Sequence, residues 1–249
     1  MAKVRVGIDL GSTWCSVVFV FLDEMVLVIV VFGQDLQIKS QIAYVHDNAE
    51  SVKAVDAPNV ESIQGGRYVF GAMVDSLVSS GKLKEEDRIV LAKVCLVPGE
   101  RTKGLREQVR IKLKRIQQAR GDANPPSLLD IHTLILGNLW RRTKEKMIEH
   151  RGGDAEKALD DNDIECAIGV PAMWSAQLCQ VIVTAAHRAC IPNPDVVSEP
   201  EAAVAMYRHT LHPDKASRLL EHSCEQRGEA DLESVLTHFW LLMLEVELL

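Results

Sequence analysis

The chain has 249 residues and a mass of 27.6 kDa, 47% of it hydrophobic, which is enough for one large domain or two small ones with a sizeable core. Its formal net charge is −7 and its pI about 5.6, which argues against a nucleic-acid binder. The longest apolar stretch, Val17 to Phe32, is broken by Asp23-Glu24, and each half falls short of the roughly 20 residues of a membrane span.

Val4, Val6, Ile8 and Leu10 alternate with Arg5, Gly7 and Asp9, a period of two that predicts a first strand. Cys15–Phe21 and Met25–Phe32 predict a second and a third. Their near-continuous apolar character suits a sheet covered on both faces. Gln41–His46 and Arg67–Phe70 are further strand candidates, separated by a polar, turn-rich loop from Asp47 to Gly66. From Val74 onward the pattern turns helical. Arg101 to Arg120 holds eight Lys/Arg and one Glu, either a contact surface for anions or, more simply, a solvated helix face. The run from Gly121 to Ser127 ends that helix and caps the next, in which Leu128, Ile131, Ile135 and Leu139 recur at helical spacing as far as about His150.

Arg151-Gly152-Gly153-Asp154 breaks the chain before a buried strand, Ile164 to Val170. Ser175 is a good N-cap for a helix with Leu178, Val181, Ile182, Ala185 and Ala189 on one face, expected to stop at Pro192 and Pro194. A short strand at 195–197 leads into Ser198-Glu199-Pro200-Glu201, which has the form of a capping box with proline in the first turn. The apolar residues Leu236 to Leu249 read as a docking helix or as an aggregation-prone face.

Six cysteines, at 15, 95, 166, 179, 190 and 224, show no C-x-x-C spacing, so neither a zinc knuckle nor a redox motif is indicated, and a reducing compartment is expected. His209 and His212 lack a nearby third ligand and read as surface histidines. Lys3, Arg5 and Asp9 within a strand pattern argue against a signal peptide, and no N-x-[ST] site occurs, so the expected location is cytoplasmic.

Chemistry concentrates at Val6-Gly7-Ile8-Asp9-Leu10-Gly11-Ser12-Thr13-Trp14. A strand runs into an acidic residue, then a tight Gly-hydroxyl-hydroxyl turn, then a second strand. Gly11 can take backbone angles closed to other residues, and successive turn N–H groups can converge on an anion. Asp9 would repel a phosphate unless a cation lay between them, and Mg²⁺ held through water is the usual arrangement. Without such a ligand, Asp9 is an ordinary turn former at a strand end.

Farther along, Val170-Pro171-Ala172 follows a strand, and Glu199-Pro200-Glu201-Ala202-Ala203 follows the next one. With the opening motif, this order resembles lobe I of the ATPase domain of the heat shock protein 70 family, in an atypical, divergent form, and more broadly the actin-like ATPase superfamily. The match runs over roughly residues 3–209. The resemblance implies an α/β, ribonuclease-H-like, actin-type fold. Lobe I would comprise residues 1–39 and 121–209, with a smaller subdomain inserted at 40–120 and a divergent tail at 210–249. It implies ATP or ADP with Mg²⁺ as ligands, and unfolded clients or co-chaperones as partners.

By the same resemblance Asp9 orients Mg²⁺ through water, and Gly11, Ser12, Thr13 and Trp14 wrap the β- and γ-phosphates. Ser12 stands where the family usually has Thr, and Trp14 where it often has Tyr. Glu199 corresponds to the family's catalytic-site Glu in Asn-Glu-Pro, which contacts Mg²⁺ through water and senses the nucleotide state, with Ser198 replacing the Asn; otherwise it is a helix-terminus charge. Pro171 matches a hinge-like proline, or simply terminates its strand. Lys93 is the candidate for the catalytic lysine that binds the γ-phosphate, against an ordinary surface lysine.

The family's second phosphate loop, Asp-x-Gly-Gly-Gly-Thr, has no counterpart in residues 210–249, whose single glycine is Gly228. The expectation is a truncated ATP-binding, chaperone-like ATPase with hydrolysis weak or lost. Two rivals are a non-catalytic interaction module or pseudo-ATPase relic, and half of a sugar or acetate kinase.

Overall fold

Alternation along Val4–Leu10 forms strand β1, and the apolar run behind it forms β2, Trp14–Phe21; the two pair antiparallel from Val4↔Phe21 to Leu10↔Cys15. The computed structural model describes residues 4–24, 26–32, 35–45, 60–63, 66–121, 124–152 and 163–199. The other edge of β2 is shared. β3, Val26–Ile29, pairs with its later half, and β4, Ile38–Lys39, pairs with Trp14 and Cys15. The third strand is therefore shorter than the apolar run suggests. Val30 N–H still donates to the Val17 carbonyl at 2.9 Å, after which β4 takes the remaining edge.

Residues 41–90 form a second, antiparallel sheet from β5 (Gln41–Val45), β6 (Val60–Ile63), β7 (Gly66–Phe70) and β8 (Arg88–Val90), in the order β6-β7-β5-β8. β5 is buried on both faces. Ile42 and Tyr44 join the main core, while Ala43 and Val45 meet Val69, Val74, Leu77 and Leu83 in a smaller cluster that includes helix α1, Ala72–Ser79. Two elements correct the sequence reading. β6 lies inside the segment read as loop, and β8 inside the segment read as helical. Both are short strands whose conformation comes from pairing with β7 and β5, a tertiary effect that outweighs local pattern.

Three helices follow: α2 (Ala92–Cys95), α3 (Glu100–Arg120) and α4 (Leu128–Arg151). α3 buries only Val109, Leu113 and Ile116 and is otherwise a charged surface, with Lys103–Glu100, Arg110–Glu107 and Arg115–Glu86 ion pairs. It ends at Gly121, whose φ of 69° suits glycine. α4 begins with a full capping box: Ser127 Oγ accepts from Asp130 N–H at 3.2 Å, and the Asp130 carboxylate accepts from Ser127 N–H at 2.8 Å. Ser127→Ala is expected to lower stability by about 1 kcal/mol, seen as a lower urea midpoint at unchanged slope.

β9, Ile164–Val170, lies parallel to β1 on its free edge, and β10, Pro194–Ser198, lies parallel to β9. The main sheet is thus mixed and six-stranded, in the order β10-β9-β1-β2-β3 with β4 also on β2. Between β9 and β10 runs α5, Ala176–Arg188, packed on α4 and capped by Ser175 Oγ, which accepts from Leu178 N–H. The prolines do not end it. The chain reverses at Cys190, φ 57°, where Cys190 N–H donates to His187 O and Ile191 N–H to Ala186 O, each at 3.0 Å. Pro194 instead opens β10, a position in a strand where a missing N–H is tolerated. Since Cys190 is exposed and sits in a conformation that disfavours a Cβ, Cys190→Gly is expected to raise stability by about 1 kcal/mol. A melting curve no higher than wild type would contradict that strain.

Among the described residues no helix is long and apolar enough to cross a membrane. Pro200 and Glu201 of the expected capping box, His209, His212, Cys224 and the apolar stretch Leu236 to Leu249 lie outside the described residues.

Candidate functional site

Three parallel strands deliver their carboxyl ends to one edge of the main sheet. Asp9 is opposite Gly169 in the β1–β9 ladder, and Gly169 is opposite Val197 in the β9–β10 ladder. Asp9, Pro171 and Glu199 therefore come to the same edge, the place where open α/β sheets bind ligands.

Lys93 reaches this edge from α2. The residue before that helix, Leu91, has φ 55° and ψ 31°. A branched side chain there costs roughly 1–2 kcal/mol, and such strain persists only where its surroundings enforce it. Lys93 is 4% exposed and its Nζ lies 3.0 Å from Glu199 Oε1. The same ammonium stands 5.7 Å from the ring centroid of Trp174, within cation–π range. Glu199 is half-exposed, at 47%. Burial pushes the Asp9 carboxyl up to about 6, with the Lys93 charge pulling it down and the Glu199 charge pushing it further up. Asp9, Lys93 and Glu199 thus form one electrostatic unit.

A fourth group lies beneath. His132 on α4 is fully buried, and its Nδ1 is 2.7 Å from the Leu128 carbonyl one turn back. A carbonyl partner requires the proton on Nδ1, leaving the Nε2 lone pair as an acceptor without a donor among the described residues. Burial holds this imidazole down to about 4, and the Lys93 charge acts in the same direction.

The turn between β1 and β2 forms the rim. A Cβ on Gly11 would lie 1.9 Å from the Trp14 carbonyl oxygen. The glycine is there because the backbone approaches it closely; its φ is not in the left-handed region, which corrects the reason given by the sequence. The Thr13 carbonyl accepts from Ser40 N–H at 2.7 Å, tying the tip of the turn to β4. Ser12 is half-buried and Thr13 exposed. Trp14 is 41% exposed, with Lys39 Nζ 5.6 Å from its ring centroid. Cys15 just inside is an inert thiol, pushed up to about 12 chiefly by burial. Pro171 follows the last residue of β9, and its carbonyl accepts from Trp174 N–H at 3.1 Å, so this turn presents Trp174 to Lys93.

Sequence reasoning named Asp9, Lys93 and Glu199, and the structure brings them together. It missed Trp174, His132 and the strained Leu91. Trp174 lies just before the cap of α5 and His132 inside α4, and only tertiary packing brings the Trp174 ring to Lys93 and the Lys93 charge to bear on His132. The donor set of two carboxylates fits a hard cation such as Mg²⁺, which takes one or two carboxylates and completes its shell with waters and phosphate oxygens. Comparison with protein-family models and with curated proteins gives no match.

Asp9 and His132 oppose each other in pH dependence. Asp9 is raised from 3.8 to about 6, so its contribution to stability is present below about pH 4 and lost as pH rises through about 6. His132 is lowered from 6.5 to about 4, so its contribution is present above about pH 6.5 and lost as pH falls through about 4. Asp9→Asn leaves only the second slope. The variant should exceed wild type in urea midpoint at pH 7, with the gain shrinking toward pH 4. A gain that stays constant would contradict the raised Asp9.

Proposed function

We propose that this chain binds Mg²⁺ with ATP or ADP at the Asp9–Lys93–Glu199 edge, as a chaperone-like ATPase of the heat shock protein 70 type. The observation that supports it is the convergence of a buried lysine with two carboxylates from distant parts of the chain, Lys93 and Glu199 being 106 positions apart, beside a glycine turn too tight for a Cβ.

In this reading the Ser12–Thr13 turn offers N–H groups and hydroxyls to the phosphates, and Lys93 offsets charge on the terminal phosphate. Asp9 and Glu199 would hold Mg²⁺ through water, and the ion would supply charge neutralisation at the phosphate oxygens. Trp174 shields Lys93 from water and keeps its ammonium at the site. Hydrolysis is expected to be weak: Glu199 is half-exposed, and electrostatic stabilisation fades where water enters.

The test is titration with a fluorescent ADP analogue, with and without Mg²⁺, beside Asp9→Ala. Saturable Mg²⁺-dependent binding that Asp9→Ala weakens at least about tenfold, or about 1.4 kcal/mol, is the expected result. No binding by folded, monodisperse protein would leave the interaction-module reading in its place.

A further inference from the structure

Lys93 already does, inside the protein, part of what a bound cation would do. Its ammonium is almost fully buried, contacts Glu199 at 3.0 Å, acts on Asp9, and is held over the Trp174 ring. Lys93 sits in a one-turn helix between the buried residues Ala92 and Cys95, after the strained Leu91, so its backbone is fixed.

We propose, resting on the nucleotide reading above, that Lys93 is a built-in counter-cation that excludes a free divalent cation from Asp9 and Glu199, so that the site admits the cation only together with a polyphosphate. Charge counting gives the reason. Two carboxylates and one ammonium sum to −1, so a divalent cation alone would leave +1, with the new charge set beside an ammonium that cannot reach solvent. A di- or triphosphate removes the conflict, because its oxygens bind the metal and also give Lys93 an anionic partner in place of Glu199. Without the lysine the two carboxylates sum to −2, and a divalent cation neutralises them outright. His132 cannot stand in as a second cation, since burial keeps it neutral near pH 7, and its Nε2 can only accept.

The consequence is a pair of opposite effects from one substitution. Lys93→Gln should gain affinity for the metal alone and lose affinity for the metal–nucleotide pair. A lysine with a merely structural role would weaken both or neither.

The experiment follows free Mn²⁺ by its paramagnetic resonance signal, with Mn²⁺ alone as the probe, in wild type and Lys93→Gln, and then repeats both with ADP. Circular dichroism confirms folding, and Lys93→Met, which preserves length and apolar contact with Trp174, replaces the glutamine variant if that one unfolds. The expected result is that wild type leaves Mn²⁺ free without ADP and, with ADP, lowers the free signal further than the same ADP does in protein-free buffer, while the variant takes up Mn²⁺ alone at least about tenfold more tightly than wild type does. Wild type binding Mn²⁺ alone as well as the variant overturns the proposal, and so does a folded variant that binds none. Either failure is separate from failure of the nucleotide reading, which the wild-type ADP titration judges on its own.

Discussion

Gly11→Ala is expected to lower the melting temperature by about 10 °C and to remove nucleotide binding. The new methyl would stand 1.9 Å from the Trp14 carbonyl oxygen, and that atom belongs to the backbone at the start of β2, where it cannot swing aside as a side chain would. Relief requires β1 and β2 to part at the Leu10↔Cys15 end, or Trp14 and its partner Lys39 to move. Overpacking typically costs about 1–3 kcal/mol, and a backbone clash belongs at the upper end. For a chain of this size each kcal/mol shifts melting by roughly 2–4 °C. Gly104→Ala is the control. It lies within α3 with nothing within 4 Å of its added Cβ, and it should gain about 0.5–1 kcal/mol from helix propensity. Calorimetric melting of the two variants reads both signs, and equal melting temperatures would mean that the turn is not as tight as the structure has it.

The second large effect is an asymmetry within the Lys93–Glu199 pair. Removing one partner of a fully buried ion pair costs about 3–5 kcal/mol, because the other is left charged and dry. Here only Lys93 is dry. Glu199→Ala strands a 4%-exposed ammonium, relieved among the described residues by Asp9 and Trp174, and is expected to cost about 2 kcal/mol, less than a fully buried pair. Lys93→Met instead strands Glu199, whose carboxylate is already 47% exposed and can hydrate, and pushes the Asp9 carboxyl further up so that it takes up a proton rather than staying charged and dry, while a methionine thioether keeps contact with the Trp174 ring. It should change stability by less than about 1 kcal/mol. Urea unfolding of the two single variants tests the order. Lys93→Met being the more damaging would show that the lysine gives more in attraction than its burial takes away.

Much of the main sheet was legible because its strands write their pairing into the sequence. β1 alternates, β2 and β9 are nearly continuous apolar runs, and Ser127 and Ser175 mark their helices with side-chain caps. The second sheet was legible only at β5 and β7. β6 and β8 hold too few residues to show a period, and their conformation comes from their partners. The end of α5 was misplaced because prolines are conspicuous in a sequence, whereas a left-handed Cys190 leaves no mark.

At the site, Asp9, Gly11 and Glu199 stood out because they end strands or fill a tight turn. Lys93 rested on a short, degenerate pattern, and its burial beside Trp174 was not readable from it. Leu91 could not have been found, since a leucine gives no sign of positive φ. Gly11 was identified correctly as a turn glycine for a reason that the close Trp14 approach replaces.

The most direct test of the central claim, that the edge joining Asp9, Lys93 and Glu199 is where phosphate binds, is amide hydrogen exchange of the wild-type protein with and without Mg²⁺ and ADP. Protection is expected at Leu10 to Trp14, at Leu91 to Leu96 and at Val196 to Glu199, the three segments that meet there. Saturating ligand that protects none of these segments, or only segments elsewhere in the chain, would contradict it.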